Sequence, residues 1–269
     1  MDFLSEVQSR VLPADGAPGP LLRARGFAHG GSVEELCASQ PDAVRQVHAD
    51  FIGAGSRLIR TNSFAGNAVQ LAEHACAHRV GELNWLASQL AVSAAKGTGV
   101  HVAACLGPLG GGPTDAAARR ALFEEQLGAL LDGGARLVLL EGFSDLDELV
   151  TAIEAKHTLH HCPVIATVVC DAAGEMPDGT AVATAFARLR AAEADVVGVS
   201  CERPVTATLF NYDVDVPLAV FHGSSSSPEE FSEACRALTA AGAALVGGGR
   251  GVTPEHLAAF AEALTLPPK

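Results

Sequence analysis

The stretch ARRALFEEQLGALLDGGARLVLLEG, residues 118–142, contains a helix, its stop signal and a strand in direct succession. Its first part is rich in Ala and Leu and carries charges at helical spacing. Gly133 and Gly134 then end the helix, because the position just past a helix terminus favours the left-handed backbone that glycine adopts without strain. The run ARLVLLEG that follows is short and almost wholly apolar, the pattern of a strand buried on both faces. It closes on a carboxylate, Glu141.

The same unit recurs in both directions. Short β-rich runs occupy 10–17 (RVLPADGA), 57–62 (RLIRTN), 100–107 (VHVAACLG), 163–170 (PVIATVVC), 194–201 (ADVVGVSC), 216–223 (VPLAVFHG) and 243–249 (AALVGGG). Helical stretches such as DAVRQVHADFIGAG, DLDELVTAIEAK, AVATAFARLRAAEA and SPEEFSEACRALTAAG separate most of them. Alternating β and α with near-continuous apolar strands predicts a parallel sheet covered by helices. Eight such units in 269 residues, with no linker or break in composition, predict one α/β domain over residues 1–269. Its expected architecture is a (β/α)8 TIM barrel. Only ERPVTATLFNYDVD, 202–215, stands between the sixth and seventh runs, and Pro204 disfavours a covering helix there. Irregularity is expected at that unit.

Composition narrows the function classes. The formal charge of −13 argues against a nucleic-acid backbone or an anionic membrane surface as partner. No run approaches 18 consecutive apolar residues, so no membrane-spanning helix is expected. Seven cysteines without CxxC pairs fit reduced thiols in a cytoplasmic protein better than a disulfide framework.

Barrel enzymes assemble their sites from the C-terminal ends of the strands. Here those ends carry Asp15, Thr61 with Asn62, Cys105, Glu141, Cys170, Cys201 with Glu202, His222, and Gly249 with Arg250. Asp15 lies in DGAPG, where Gly16 lets backbone approach a ligand. Its carboxylate suits a substrate ammonium group, or an Asx bond that organises the turn. Thr61 and Asn62 suit a ligand hydrogen bond or the capping of the next helix. Glu141, so deep in an apolar run, needs a cation, a hydrogen-bond donor or a proton.

Together, DGAPGPLLRARG, VHADFIGAGSRLIRTNSFAGNAVQL, AACLGPLGG, FEEQLGALLDGGARLVLLEGFSDLDEL, ADVVGVSC and GGGRGVTPEHL resemble the motifs of the homocysteine S-methyltransferase family, in the family's order. The resemblance runs from about Val11 to Leu264. It implies a (β/α)8 barrel that moves a methyl group to the sulfur of homocysteine, in one-carbon metabolism and methionine biosynthesis. Asp15, Gly16, Thr61, Asn62 and Glu141 are its implied substrate-binding residues. It also implies a zinc ion held by one cysteine ending the sixth strand and two adjacent cysteines ending the eighth. Cys201 matches the first, but Gly249 and Arg250 stand where the cysteine pair would be. Neither glycine nor guanidinium is a zinc ligand.

Two of three expected ligands are therefore missing, which argues against zinc in its usual place. Cys170, Cys201 and His222, ending three successive strands, offer a rebuilt metal site, with isolated buried thiols as the alternative. For function the sequence leaves two readings. One is an enzyme that methylates the thiol of homocysteine or a related small molecule through an altered metal site. The other is a non-catalytic barrel that binds a small anionic or amino-acid ligand, or serves as partner of a one-carbon enzyme. The methyl donor is not legible.

Overall fold

In the computed structural model, residues 2–27, 30–201, 215–224 and 226–265 are described. Eight strands form one parallel sheet: β1 (Leu12–Pro13), β2 (Leu58–Arg60), β3 (His101–Leu106), β4 (Leu137–Phe143), β5 (Val164–Val168), β6 (Val196–Cys201), β7 (Leu218–His222) and β8 (Ala243–Gly248). Each pairs with the next in sequence from β2 to β8, and β1 pairs with β8. A parallel bridge from Ala14 to Leu58 brings the two ends of the sheet together. The result is the expected single-domain (β/α)8 TIM barrel. The connection expected to be irregular lies, at 202–214, outside the described residues, as does Glu202. Among the described residues no helix is long and apolar enough to cross a membrane.

Local signals end the helices as the sequence suggests. Asp115 accepts the Ala118 N–H at 2.9 Å at the start of the helix Ala116–Asp132. Gly134 beyond that helix adopts φ +112°, and the chain turns into β4.

Strand alternation splits the core into two layers. Leu12, Leu58, Ala103, Leu137, Leu139, Ile165, Val196, Ala219, Phe221 and Leu245 fill the inside of the barrel. Their neighbours Ile59, Ala104, Val138, Leu140, Ala166, Val197, Val220 and Val246 face the helices. The helix Phe3–Ser9 closes the N-terminal end with Phe3 and Val7. Its Glu6 meets Arg57 at 2.9 Å and His101 at 2.7 Å, and also pairs with Arg10. Burial works against the Glu6 anion, but these hydrogen bonds outweigh it and draw the carboxyl down to about 2.

Candidate functional site at the C-terminal mouth

The two-residue period that puts Leu58 inside the barrel also puts Arg60 there, one layer nearer the C-terminal end. The same parity carries Leu139 to Glu141 and Ala103 to Cys105. Arg60 is 1% exposed and sits between the two carboxylates singled out in the sequence. Its Nε donates to Asp15 Oδ1 at 2.9 Å and its Nη1 to Glu141 Oε1 at 2.7 Å. Its Nη2 donates to the Asp15 carbonyl at 2.6 Å and also to the Gly248 carbonyl. The Arg60 backbone N–H donates to Asp15 Oδ2 at 2.9 Å. The guanidinium carbon lies 5.0 Å from the Phe221 ring centroid, within cation–π range.

This cluster fixes the charge states around it. Burial pushes the Asp15 carboxyl up to about 6, against the pull of Arg60, so it is ionised at neutral pH. The Cys105 thiol donates to Glu141 Oε2 at 3.3 Å, and burial with that carboxylate nearby raises it well above the ordinary thiol range. Cys105 is therefore a neutral donor here.

Above the cluster opens a cavity of about 240 Å³. Its wall includes Ala17 to Pro20, Val33, Glu34, the segment Arg60 to Ala65, Cys105, Glu141, Gly249 and Arg250. Thr61, Asn62 and Glu141 thus reach the cavity, whereas Asp15 is fully buried behind Arg60. Gly16 is also a packing position, since a Cβ there would lie 2.7 Å from both the Phe51 ring and the Val252 carbonyl. Thr61 and Asn62 do not cap the next helix; Asn67 does so, accepting the Gln70 N–H. Instead the Thr61 hydroxyl accepts the Cys105 N–H at 2.9 Å, and Asn62 Nδ2 donates to the Val33 carbonyl at 2.7 Å.

Of the three side chains considered for a rebuilt metal site, the structure brings two together. Cys170 and Cys201 have sulfurs 3.5 Å apart, and Cys201 also lies 3.4 Å from the Cys170 carbonyl. The hydrogen bond between the two thiols lowers the Cys201 thiol and raises that of Cys170. His222 turns the other way, toward the helix Pro228–Ala240. Its ring nitrogens lie 3.4 Å from Cys235 Sγ and 3.2 Å from the Gly223 carbonyl, with Phe231 stacked 4.8 Å away. His222 follows the inward-facing Phe221, so its side chain lies in the helix layer, on the same side of the sheet as its register partner Cys201. Burial lowers its pKa and keeps it a neutral imidazole.

The turn after β8 is bonded to the turn after β7. Gly249 N–H donates to the His222 carbonyl at 2.8 Å, and Ser224 N–H to the Arg250 carbonyl at 2.9 Å. Gly251 has φ +84°, and a Cβ there would sit 1.9 Å from the Ser224 carbonyl, so only glycine fits. The retained TPEH segment is structural as well: His256 lies 2.9 Å from both the Thr253 hydroxyl and the Ser226 carbonyl. Among the described residues no group of three His, Cys, Asp or Glu is placed to hold a metal ion. Two neighbouring thiols, a glycine and a guanidinium do not make a zinc donor set.

The sequence profile described as homocysteine S-methyltransferase matches residues 12–264, nearly the whole chain. The chain belongs to the homocysteine S-methyltransferase family. Among relatives of that family, the methionine synthase of Mycobacterium tuberculosis is 27% identical over 98% of this chain, which spans 25% of that protein. The mouse S-methylmethionine–homocysteine S-methyltransferase BHMT2 is 30% identical over 67% of this chain and 48% of its own length. The chain thus spans a quarter to a half of these relatives. In fold it is similar to the homocysteine methyltransferase MmuM of Escherichia coli in its oxidized form. There the TM-score is 0.87 and the identity 22%, over 98% of this chain and all of the other. The metallated form of MmuM gives 0.85 at 23% identity, over 95% and 97% of the two chains.

Sequence reasoning missed Arg60. Its signal was available, since alternation from Leu58 places it inside the barrel, where an arginine needs carboxylate partners.

Proposed function

We propose that this chain is a small-molecule-binding barrel of the homocysteine S-methyltransferase family that does not use a zinc-bound thiolate for methyl transfer. The observation that carries this reading is the donor set at the mouth. Cys201 has Cys170 as its thiol neighbour, and Gly249 and Arg250 stand where the family resemblance calls for two cysteines. The fixed charge of Arg250 disfavours a dication and favours an anionic group in the adjoining cavity. In this reading Thr61, Asn62 and Glu141 line the ligand cavity, with Asp15 and Gly16 shaping it from behind. Binding to a one-carbon enzyme as a partner subunit is compatible with the same site.

A second reading is methyl transfer to the thiol of homocysteine or a related molecule, with the thiol activated in some other way. It draws on the activities named for the methionine synthase and BHMT2 relatives. The deciding experiment purifies the chain without chelators, measures its metal content, and assays homocysteine methylation from S-methylmethionine, methylfolate and betaine. The expected result is substoichiometric zinc and no transfer from any donor. Stoichiometric zinc that disappears in Cys201→Ala, or turnover with any of the donors, overturns the proposal.

A further inference from the structure

The floor of the mouth cavity is a buried cluster of two anions and one cation. Two carboxylates that converge on one point away from water select a cation between them, because leaving both unpaired there is costly. In this chain that cation is the guanidinium of Arg60, brought in on β2 and 1% exposed. Each of the four carboxylate oxygens already has a donor. Asp15 takes the Arg60 Nε and backbone N–H, and Glu141 takes the Arg60 Nη1 and the Cys105 thiol. The other carboxylate on the cavity wall, Glu34, accepts the Ala65 N–H at 3.0 Å and the Ser32 hydroxyl. An ammonium group seated between Asp15 and Glu141 would have to displace Arg60 and leave it buried without its partners. At the rim the charge has the opposite sense. Arg250 lines the cavity, and among the described residues its guanidinium has no acidic partner.

We infer that Arg60 sets the ligand class of this barrel: it occupies the cation subsite between Asp15 and Glu141, so the cavity takes a small organic acid without an α-ammonium group, its carboxylate toward Arg250. The inference rests on the cavity being a ligand site, and is independent of whether zinc binds.

The test uses a ligand pair that differs only in the α-ammonium group, L-homocysteine and 4-mercaptobutanoate. Binding of each to the full chain is measured by calorimetry under reducing conditions. The wild type is expected to bind 4-mercaptobutanoate at least about tenfold more tightly. Arg60→Gln, which leaves the two carboxylates to a ligand cation, is expected to shift the ratio toward homocysteine by about tenfold or more. Homocysteine binding as tightly as its des-amino analogue in the wild type overturns the inference. So does the absence of binding by either at millimolar concentration, or a folded Arg60→Gln variant with an unchanged ratio. If Arg60→Gln does not fold, the wild-type comparison alone decides. Metal content separates this outcome from the zinc question. A zinc-loaded chain that prefers the des-amino acid would overturn the functional proposal and leave this inference standing.

Discussion

At the scale of single residues, buried polar groups decide what this barrel does and tolerates. Replacing Arg60 by Met would strand Asp15 and Glu141 without a cation, at an expected cost of about 3–5 kcal/mol. Urea unfolding at pH 7 measures that loss. The deficit should shrink at pH 5, because the stranded Asp15 carboxyl, pushed up by burial, then binds a proton. His48 is a different case, fully buried with neither ring nitrogen bonded among the described residues. Burial pulls its pKa down to about 4. The sequence showed Asp15 and Glu141 because polar residues stood out at the ends of apolar runs. Arg60 did not stand out beside Thr61 and Asn62 at its strand end, and its partners are 45 and 81 positions away.

At the scale of elements, caps and close turns hold the parts in place. Ser227 and Glu230 form a reciprocal capping box at the start of the helix Pro228–Ala240. Ser227→Ala is expected to cost about 1 kcal/mol, read as a lower urea midpoint with an unchanged slope. Gly251→Ala should be more severe, since its Cβ would collide with the Ser224 carbonyl and part the turns after β7 and β8. A fall in thermal midpoint larger than that of Ser227→Ala is the expected outcome. Strand ends such as the one at His222 were legible as positions and not as directions. A one-residue step changes the facing side, and the order Phe221 then His222 sends the imidazole to the helix layer.

At the scale of the whole molecule, titrations at separate places combine into one acid profile. The depressed pKa of His48 means the unfolded chain binds a proton that the native chain refuses between about pH 6.5 and 4. Stability therefore falls as pH drops through that window, by up to about 3 kcal/mol. The raised pKa of Asp15 has the opposite sign. The native chain holds the extra proton below about pH 6, so this group adds stability as pH falls. The two oppose each other over this range. The depressed Glu6 carboxyl contributes stability above about pH 4.5 that is lost as pH falls toward 2. Below about pH 4.5 the Glu6 loss adds to that of His48, and equilibrium unfolding is expected to show weakening stability there. His48→Phe should expose the Asp15 contribution, with the variant gaining on the wild type as pH is lowered from 6.5 to 4. An advantage independent of pH would refute the assignment.

The sequence by itself determined the barrel, its eight strands and the family, because alternation, helix stops and strand-end motifs are local patterns that survive without coordinates. It also gave rise to the expectation that Gly249 and Arg250 stand in place of two zinc cysteines. Only the tertiary structure decided what the retained polar residues do. Arg60 joins Asp15 to Glu141 across the barrel, Cys170 meets Cys201, and His222 leaves them for Cys235. Those pairings depend on the register of neighbouring strands and on the inward or outward direction of each side chain. Neither is set by residue type alone.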